Sequence, residues 1–389
     1  MKNKNLLLIG GIAVAAAWCA VAFVFICEDD EKMFPKTRAK NVSAESEISA
    51  ESAIPPAEDA EISDSEEPAL GVFAEESAEP AEGVPAQIQS ASRSAKIPAK
   101  APRPAIAAFH CKGEICVDAA TGKILSGTNV SAKCPPASVT KLMTLYVVLD
   151  AVSAGALKPE DVVIASRRAQ EMGGTQVYLA AGEPCTVRDL IYALMVESAN
   201  DAAVALAESL CGSVEDFVAV MNKTARALGM TNSTFATPHG LPPSRKARAA
   251  GAKPDMTTAE DLAKLAVALL KRFPETLEYS SAQTRQFPAN AVRKAPLGMR
   301  NHNKLLALFA GCDGLKTGWT NDGASIVTTA SRGNGRVVAV VLGGLVRNKK
   351  GEIDAKSSQT ERNQRAAELM FNGFKTLNLL QYEPTPFKK

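Results

Sequence analysis

Between Glu28 and about Ser90 the chain carries 17 acidic residues against 4 basic ones and almost no aromatic side chains. Ala, Glu, Ser and Pro dominate this stretch, so it has too little apolar surface to offset the chain entropy lost on folding, and its like charges extend it. Any packed domain in this 389-residue chain must therefore be built from residues C-terminal to the stretch. Residues 91–105 continue the linker with reversed sign, with Arg93, Lys96, Lys100 and Arg103 set among prolines. The disordered linker is accordingly expected over 28–105, and the folded body from 106 onward.

Ahead of the linker, residues 6–27 hold no charge, and these 22 residues are enough to cross a ~30 Å hydrocarbon layer as a helix. Lys2 and Lys4 precede the segment and Glu28-Asp29-Asp30-Glu31 comes directly after it, which predicts a cytoplasmic N-terminus and an exported body. A cleaved signal peptide is the alternative, giving a secreted protein. Its apolar core normally runs ~7–15 residues and ends at a small-residue cleavage site, so a retained single-pass anchor over 1–27 is the preferred expectation.

The sequence from 91 to 389 has 38 basic and 25 acidic residues, so the formal net charge of +2 hides opposite charges on tether and body. No nucleic-acid-binding module is present, and an exported basic body suits anionic cell-wall polymers better than nucleic acid. Six cysteines lie in the body: Cys111, Cys116, Cys134, Cys185, Cys211 and Cys312. Six allow 15 pairings, and the sequence does not choose among them. Neither a C-x-x-C pair nor a close histidine pair exists, so no metal site is expected.

Within the body, Glu114–Asp118 and Lys123–Leu125 flank Ala120-Thr121-Gly122 as a hairpin. Pro135-Pro136 stops extended structure, and Ser138 opens a helical run through Leu142, Leu145, Tyr146, Leu149 and Val152. Thr186-Val187-Arg188-Asp189 reads as a helix cap. Ser198-Ala199-Asn200 interrupts the helical pattern begun there. Further helices are expected at 214–228, 258–273 and 358–377. Strands are expected at Gly314–Thr317, Ala324–Ala330 and Arg336–Leu342, the last two joined by a Gly333-Asn334-Gly335 turn. The fold class is therefore α+β: an antiparallel sheet flanked by helices, with an all-helical subdomain inserted between early and late strands.

Three short segments carry the chemistry: Ser138-Val139-Thr140-Lys141, Ser198-Ala199-Asn200 and Lys316-Thr317-Gly318. A serine hydroxyl is a poor nucleophile until a base takes its proton. Lys141, three residues on and on the same helical face, can do so only as a neutral amine, against an ordinary pKa of ~10.4. Burial and a second cation both lower that value, and Lys316 is the candidate cation if its strand lies beside the serine. Lys141 is then the base, and Ser198 relays a proton to the leaving amine. Asn200 holds the substrate amide, while Lys316 with Thr317 holds a terminal carboxylate. The backbone N–H groups of Ser138 and Trp319 are the candidate oxyanion donors, and Gly318 permits close backbone approach.

Taken singly, each segment has a plainer explanation. Ser138 is a helix cap, Ser198 and Asn200 finish a helix, and Lys316 guards a sheet edge. Their conjunction, in this order and in matching local structure, outweighs those readings. The chain's histidines, His110, His239 and His302, accompany no G-x-S-x-G elbow, which disfavours a serine–histidine–aspartate hydrolase. His239, in Thr237-Pro238-His239-Gly240-Leu241, is expected to shape a turn.

These segments resemble the low-molecular-mass penicillin-binding proteins, specifically the D-alanyl-D-alanine carboxypeptidases. The likeness covers about 106–345 and extends to Pro135–Thr144, Glu197–Ala203, Phe235–Leu241, Asn301–Leu306 and Asp313–Gly318. It implies a β-lactamase/transpeptidase-like fold, with Ser138 as acyl-enzyme nucleophile and Lys141 as general base. Ser198 and Asn200 complete the centre, and Lys316 binds substrate. It also implies release of the terminal D-alanine from peptidoglycan stem pentapeptides, acylation by β-lactams as substrate mimics, and no cofactor. Many relatives carry a β-rich second domain and a C-terminal membrane helix. Here residues 346–389 are too few for that domain, and their helix is expected to pack on the sheet. The rivals are a peptidoglycan endopeptidase, a serine β-lactamase and a non-catalytic peptidoglycan-binding sensor. No E-x-x-L-N loop supports the β-lactamase, and binding alone has no use for Lys141.

Overall fold

The computed structural model describes residues 109–380. The expected anchor, the linker and the last nine residues lie outside the described residues. Among those described, no helix is long and apolar enough to cross a membrane.

A five-stranded antiparallel sheet organises the body in the order β2 (Ile124–Thr128), β1 (Gly113–Asp118), β9 (Gly335–Gly344), β8 (Gly323–Arg332) and β7 (Cys312–Thr320). The run Val337–Leu342 explains its central place. Val337, Ala339 and Val341 pack into one core while Val338, Val340 and Leu342 pack into another, the period of two that a strand covered on both faces requires. Each fully buried valine or leucine contributes roughly 1.5–3 kcal/mol. The turn joining β8 to β9 is tight, with Arg332 opposite Gly335 and Gly333 at φ +56°, where a Cβ would be strained.

The chain leaves the sheet after β2 and returns at β7. Between them lie the helices α1 (Lys141–Ser153), α2 (Val187–Tyr192), α3 (Asn200–Cys211), α4 (Val214–Ala227) and α5 (Ala259–Arg272). Two ribbons, β3 (Val162–Ile164) with β4 (Pro184–Thr186) and β5 (Thr284–Phe287) with β6 (Leu297–Arg300), add strands that the sequence pattern did not disclose. Side-chain caps start several of these helices. Thr186, Ser213 and Thr258 accept the amides of Asp189, Asp216 and Asp261, satisfying N–H groups that have no helical partner.

Helix α1 has no polar face. Every residue from Lys141 to Ala151 is buried, as expected of a helix at the centre of a lobe. On the sheet's other face lies α6 (Ala355–Thr376), capped by Asp354 and docking Ala366, Met370 and Phe374 against Ile326, Ala339 and Val341. The six cysteines are all free thiols. Burial pushes Cys111, Cys116 and Cys185 up to about 12, which keeps them protonated and unreactive.

Candidate active site

Ser138 sits in a 3-10 turn, Ala137–Thr140, that leads directly into α1. The sequence pattern suggested an ordinary helical start. The tighter turn stacks residues i and i+3 over one another, so Ser138 and Lys141 eclipse. Lys141 Nζ lies 3.0 Å from Ser138 Oγ. It also donates to Asn200 Oδ1 at 2.7 Å and to the His239 carbonyl at 2.8 Å. The latter two oxygens can only accept. In the neutral amine they take its two N–H groups, and the lone pair faces the serine hydroxyl.

Among the described residues no carboxylate bonds to this lysine, which is fully buried. Burial, and then the Lys316 charge, hold its pKa well below the ordinary lysine value, against the opposing pull of Asp201 and Asp255. Lys316 lies on β7, the free edge of the sheet, and is itself only 2% exposed. Burial, with Arg362 adding to it and Glu197 opposing, lowers its pKa to about 7.

Asn200 opens α3 and is held from both ends. Its amide nitrogen donates to the Gly173 carbonyl at 2.7 Å, and its backbone N–H to Thr175 at 2.8 Å. Ser198 comes just before it, after a π-helical turn, Ala193–Glu197. With φ +69° and ψ 29°, Ser198 is left-handed, a conformation that reverses the chain between the two helical segments. Its side chain is buried and makes no hydrogen bond among the described residues.

On β7, a Cβ at Gly318 would lie 2.8 Å from the Pro136 carbonyl oxygen and 3.0 Å from the Ser138 amide nitrogen. Only glycine lets the strand run this close to the serine turn. Strand alternation puts Lys316 on the same face as Gly318, the face turned toward that serine. Buried Thr317 and half-buried Trp319 alternate with them and form no side-chain hydrogen bond to the Ser138 cluster. The structure therefore joins Ser138, Lys141 and Asn200 by hydrogen bonds, sets Gly318 against Ser138, and couples Lys316 to Lys141 through charge.

Three buried groups that motif spacing did not single out support this centre. Asp255 accepts Thr140 Oγ1 at 2.7 Å and the amides of Ala236 and Thr237 at 2.7 and 3.0 Å, tying the serine turn to the 235–241 loop. That loop turns at His239, whose Nδ1 accepts the Leu241 amide at 3.1 Å, and at Gly240 (φ +87°), where a Cβ would collide with the Ala137 carbonyl. Burial lowers the His239 pKa to about 3, so the ring is neutral while it holds the turn. Asp201 accepts the amides of Val177 and Leu179. Arg362 of α6 donates to the Ser325 carbonyl at 3.2 Å and to Asn363 Oδ1 at 2.8 Å, and among the described residues none of its hydrogen-bond partners is a carboxylate.

Residues 98–345 match the model of the peptidase S11 family, described as D-alanyl-D-alanine carboxypeptidase. The chain is 32% identical over 283 residues to D-alanyl-D-alanine carboxypeptidase DacF of Bacillus subtilis, covering 72% of this chain and 65% of that protein. It is 38% identical over 237 residues to D-alanyl-D-alanine carboxypeptidase DacC of Escherichia coli, covering 59% and 55%. The match thus spans less than two thirds of either relative's length. Among solved structures, penicillin-binding protein D2 of Listeria monocytogenes in its ampicillin-bound form superposes with a TM-score of 0.56 at 28% identity, covering 70% of this chain and all of that one.

Proposed function

Because the chain belongs to the D-alanyl-D-alanine carboxypeptidase family, we propose that it removes the terminal D-alanine from peptidoglycan stem pentapeptides through an acyl-enzyme on Ser138. The observation that carries this reading is the 3.0 Å contact from Lys141 Nζ to Ser138 Oγ, made by an amine whose other two partners are obligate acceptors.

In the first half-reaction the Lys141 lone pair takes the Ser138 proton as Oγ bonds to the penultimate carbonyl carbon. The developing oxyanion is stabilised by the backbone N–H groups of Ser138 and Trp319. Collapse breaks the peptide bond. The departing D-alanine nitrogen collects a proton through Ser198, and Lys141 is again neutral. Water then attacks the ester, giving its proton back through Lys141 and freeing Ser138 with a shortened peptide. Lys316 and Thr317 hold the terminal carboxylate, and Asn200 orients both Lys141 and the donor amide. A β-lactam presents an equivalent carbonyl and carboxylate and acylates Ser138 in the same way. This chemistry belongs outside the cytoplasm, where the uncharged 6–27 segment would hold the domain at the membrane.

The test is incubation of the full-length protein with a stem pentapeptide and with a cross-linked dimer. D-alanine release is expected from the pentapeptide, whereas cleavage of the dimer alone would favour the endopeptidase. Ser138→Ala is expected to abolish covalent labelling by penicillin, and labelling that persists would refute this nucleophile.

A further inference from the structure

Of the five non-glycine residues with positive φ among those described, two are asparagines, which tolerate that conformation. The other three are Ala137, Ser198 and Tyr178. Ala137 directly precedes the nucleophile and Ser198 belongs to the centre itself. A bulky aromatic at φ +57° is the least expected of the three, since its Cβ crowds the backbone. Such conformations persist only where the surroundings over-determine them, and they cluster at sites that hold ligands.

The surroundings of Tyr178 do over-determine it. Buried Asp201 takes the amides on either side, Val177 at 3.2 Å and Leu179 at 3.0 Å. Arg293 reaches across from the β5–β6 hairpin to the carbonyls of Val177 at 2.7 Å and of Tyr178 at 3.0 Å. Val177 and Leu179 are 0% and 1% exposed, whereas Tyr178 is 69% exposed. A rigid backbone thus displays one aromatic ring to solvent. The same segment is bolted to the centre through Asn200, which bonds Gly173 and Thr175.

Resting on the function proposed above, we propose that Tyr178 is a specificity-determining platform for the acyl-donor peptide. If the terminal carboxylate lies at Lys316, the scissile carbonyl at Ser138 and the donor amide at Asn200, the donor chain upstream of the D-alanine pair runs along the wall that carries residues 173–179. The ring there offers an apolar face to the aliphatic stem of the substrate's third residue, on a backbone that is already held in place.

The experiment compares a stem pentapeptide with N-acetyl-D-alanyl-D-alanine, which lacks that residue, using the full-length protein. Tyr178→Ala and Tyr178→Gly are expected to raise KM for the pentapeptide about tenfold and leave the short substrate and penicillin acylation unchanged. Tyr178→Phe retains the preference, and Tyr178→Gly melts no lower than wild type because glycine relieves the positive φ. An unchanged preference in Tyr178→Ala and Tyr178→Gly overturns the platform, as does an equal loss on both substrates. A wild-type protein that releases D-alanine from neither peptide refutes the proposed activity instead. The platform is then decided by calorimetric binding of the pentapeptide to Ser138→Ala with and without Tyr178→Ala, where equal affinities overturn it.

Discussion

Lys141 and Asn200 are 59 residues apart in sequence and 2.7 Å apart in space, and this contact orients the amine relative to the serine. An arginine at 141 carries a permanent positive charge, does not lose its proton and has no lone pair to offer the serine. Lys141→Arg is therefore expected to slow penicillin acylation by about 10²–10⁴-fold, the usual range for losing a general base. Stopped-flow kinetics with a fluorescent penicillin measures this, and an acylation rate within tenfold of wild type would remove Lys141 from the role.

The Lys316 pKa of about 7 in the folded protein lies below its ordinary 10.5, so unfolding takes up a proton between those limits. Wild-type stability gains from this group as pH rises from about 7 toward 10. Below pH 7 the buried ammonium costs up to about 5 kcal/mol. Lys316→Met is expected to melt above wild type at pH 6, with the gap closing as pH rises, while D-alanine release is lost at every pH. Differential scanning calorimetry at pH 6, 7.5 and 9 measures the gap, and a constant difference would contradict the burial argument.

Arg362 sits behind the same lysine, and its charge helps depress the Lys316 pKa. Replacing it with glutamine moves that pKa up, so the alkaline limb of kcat/KM shifts to higher pH. The change also leaves the Ser325 carbonyl short of a donor, at about 1–3 kcal/mol. A pH–rate profile whose alkaline limb stays in place would show that Arg362 does not act on Lys316.

Gly318→Ala places a methyl group 3.0 Å from the Ser138 amide nitrogen. The strand must withdraw by several tenths of an ångström, and an oxyanion donor displaced this way is worth about 10²-fold in kcat. The expected result is a large fall in kcat with a small change in Tm. An unaltered kcat would mean that β7 does not border the reacting carbonyl.

Asp255→Ala removes the acceptor shared by Thr140, Ala236 and Thr237. About 3 kcal/mol of stability should be lost. The carboxylate raises the Lys141 pKa, so its loss moves the acid limb of acylation to lower pH. Urea unfolding and a pH series of penicillin acylation read the two effects separately, and an acid limb that stays put would argue that Asp255 acts only as a structural acceptor.

Local patterning made much of this molecule legible. The unbroken apolar run from 337 to 342 marks a strand, and Thr186, Gly333 and Asn334 announce a cap and a turn that the structure contains. The residues Ser138, Lys141 and Asn200 were identifiable because acyl transfer without histidine needs those side chains together. Asp255 was not, because it acts on Thr140 across 115 residues and nothing in Lys253-Pro254-Asp255 signals a partner. Arg362 reads as one more charge on an amphipathic helix, and only the sheet packing of α6 puts it beneath Gly318 and Ser325. Tyr178 escaped for a different reason, since a positive φ leaves no mark on composition or spacing.

The π-helical turn at 193–197 makes the helical lobe unusually sensitive to residue count. An α-helix advances about 100° per residue, whereas a wide turn absorbs one extra residue without that rotation. Deleting a single residue there would let the helix close up as an ordinary spiral and swing Ser198 about a quarter-turn away from the cleft. Side-chain replacements in this stretch can be accommodated by repacking, but a change of length cannot.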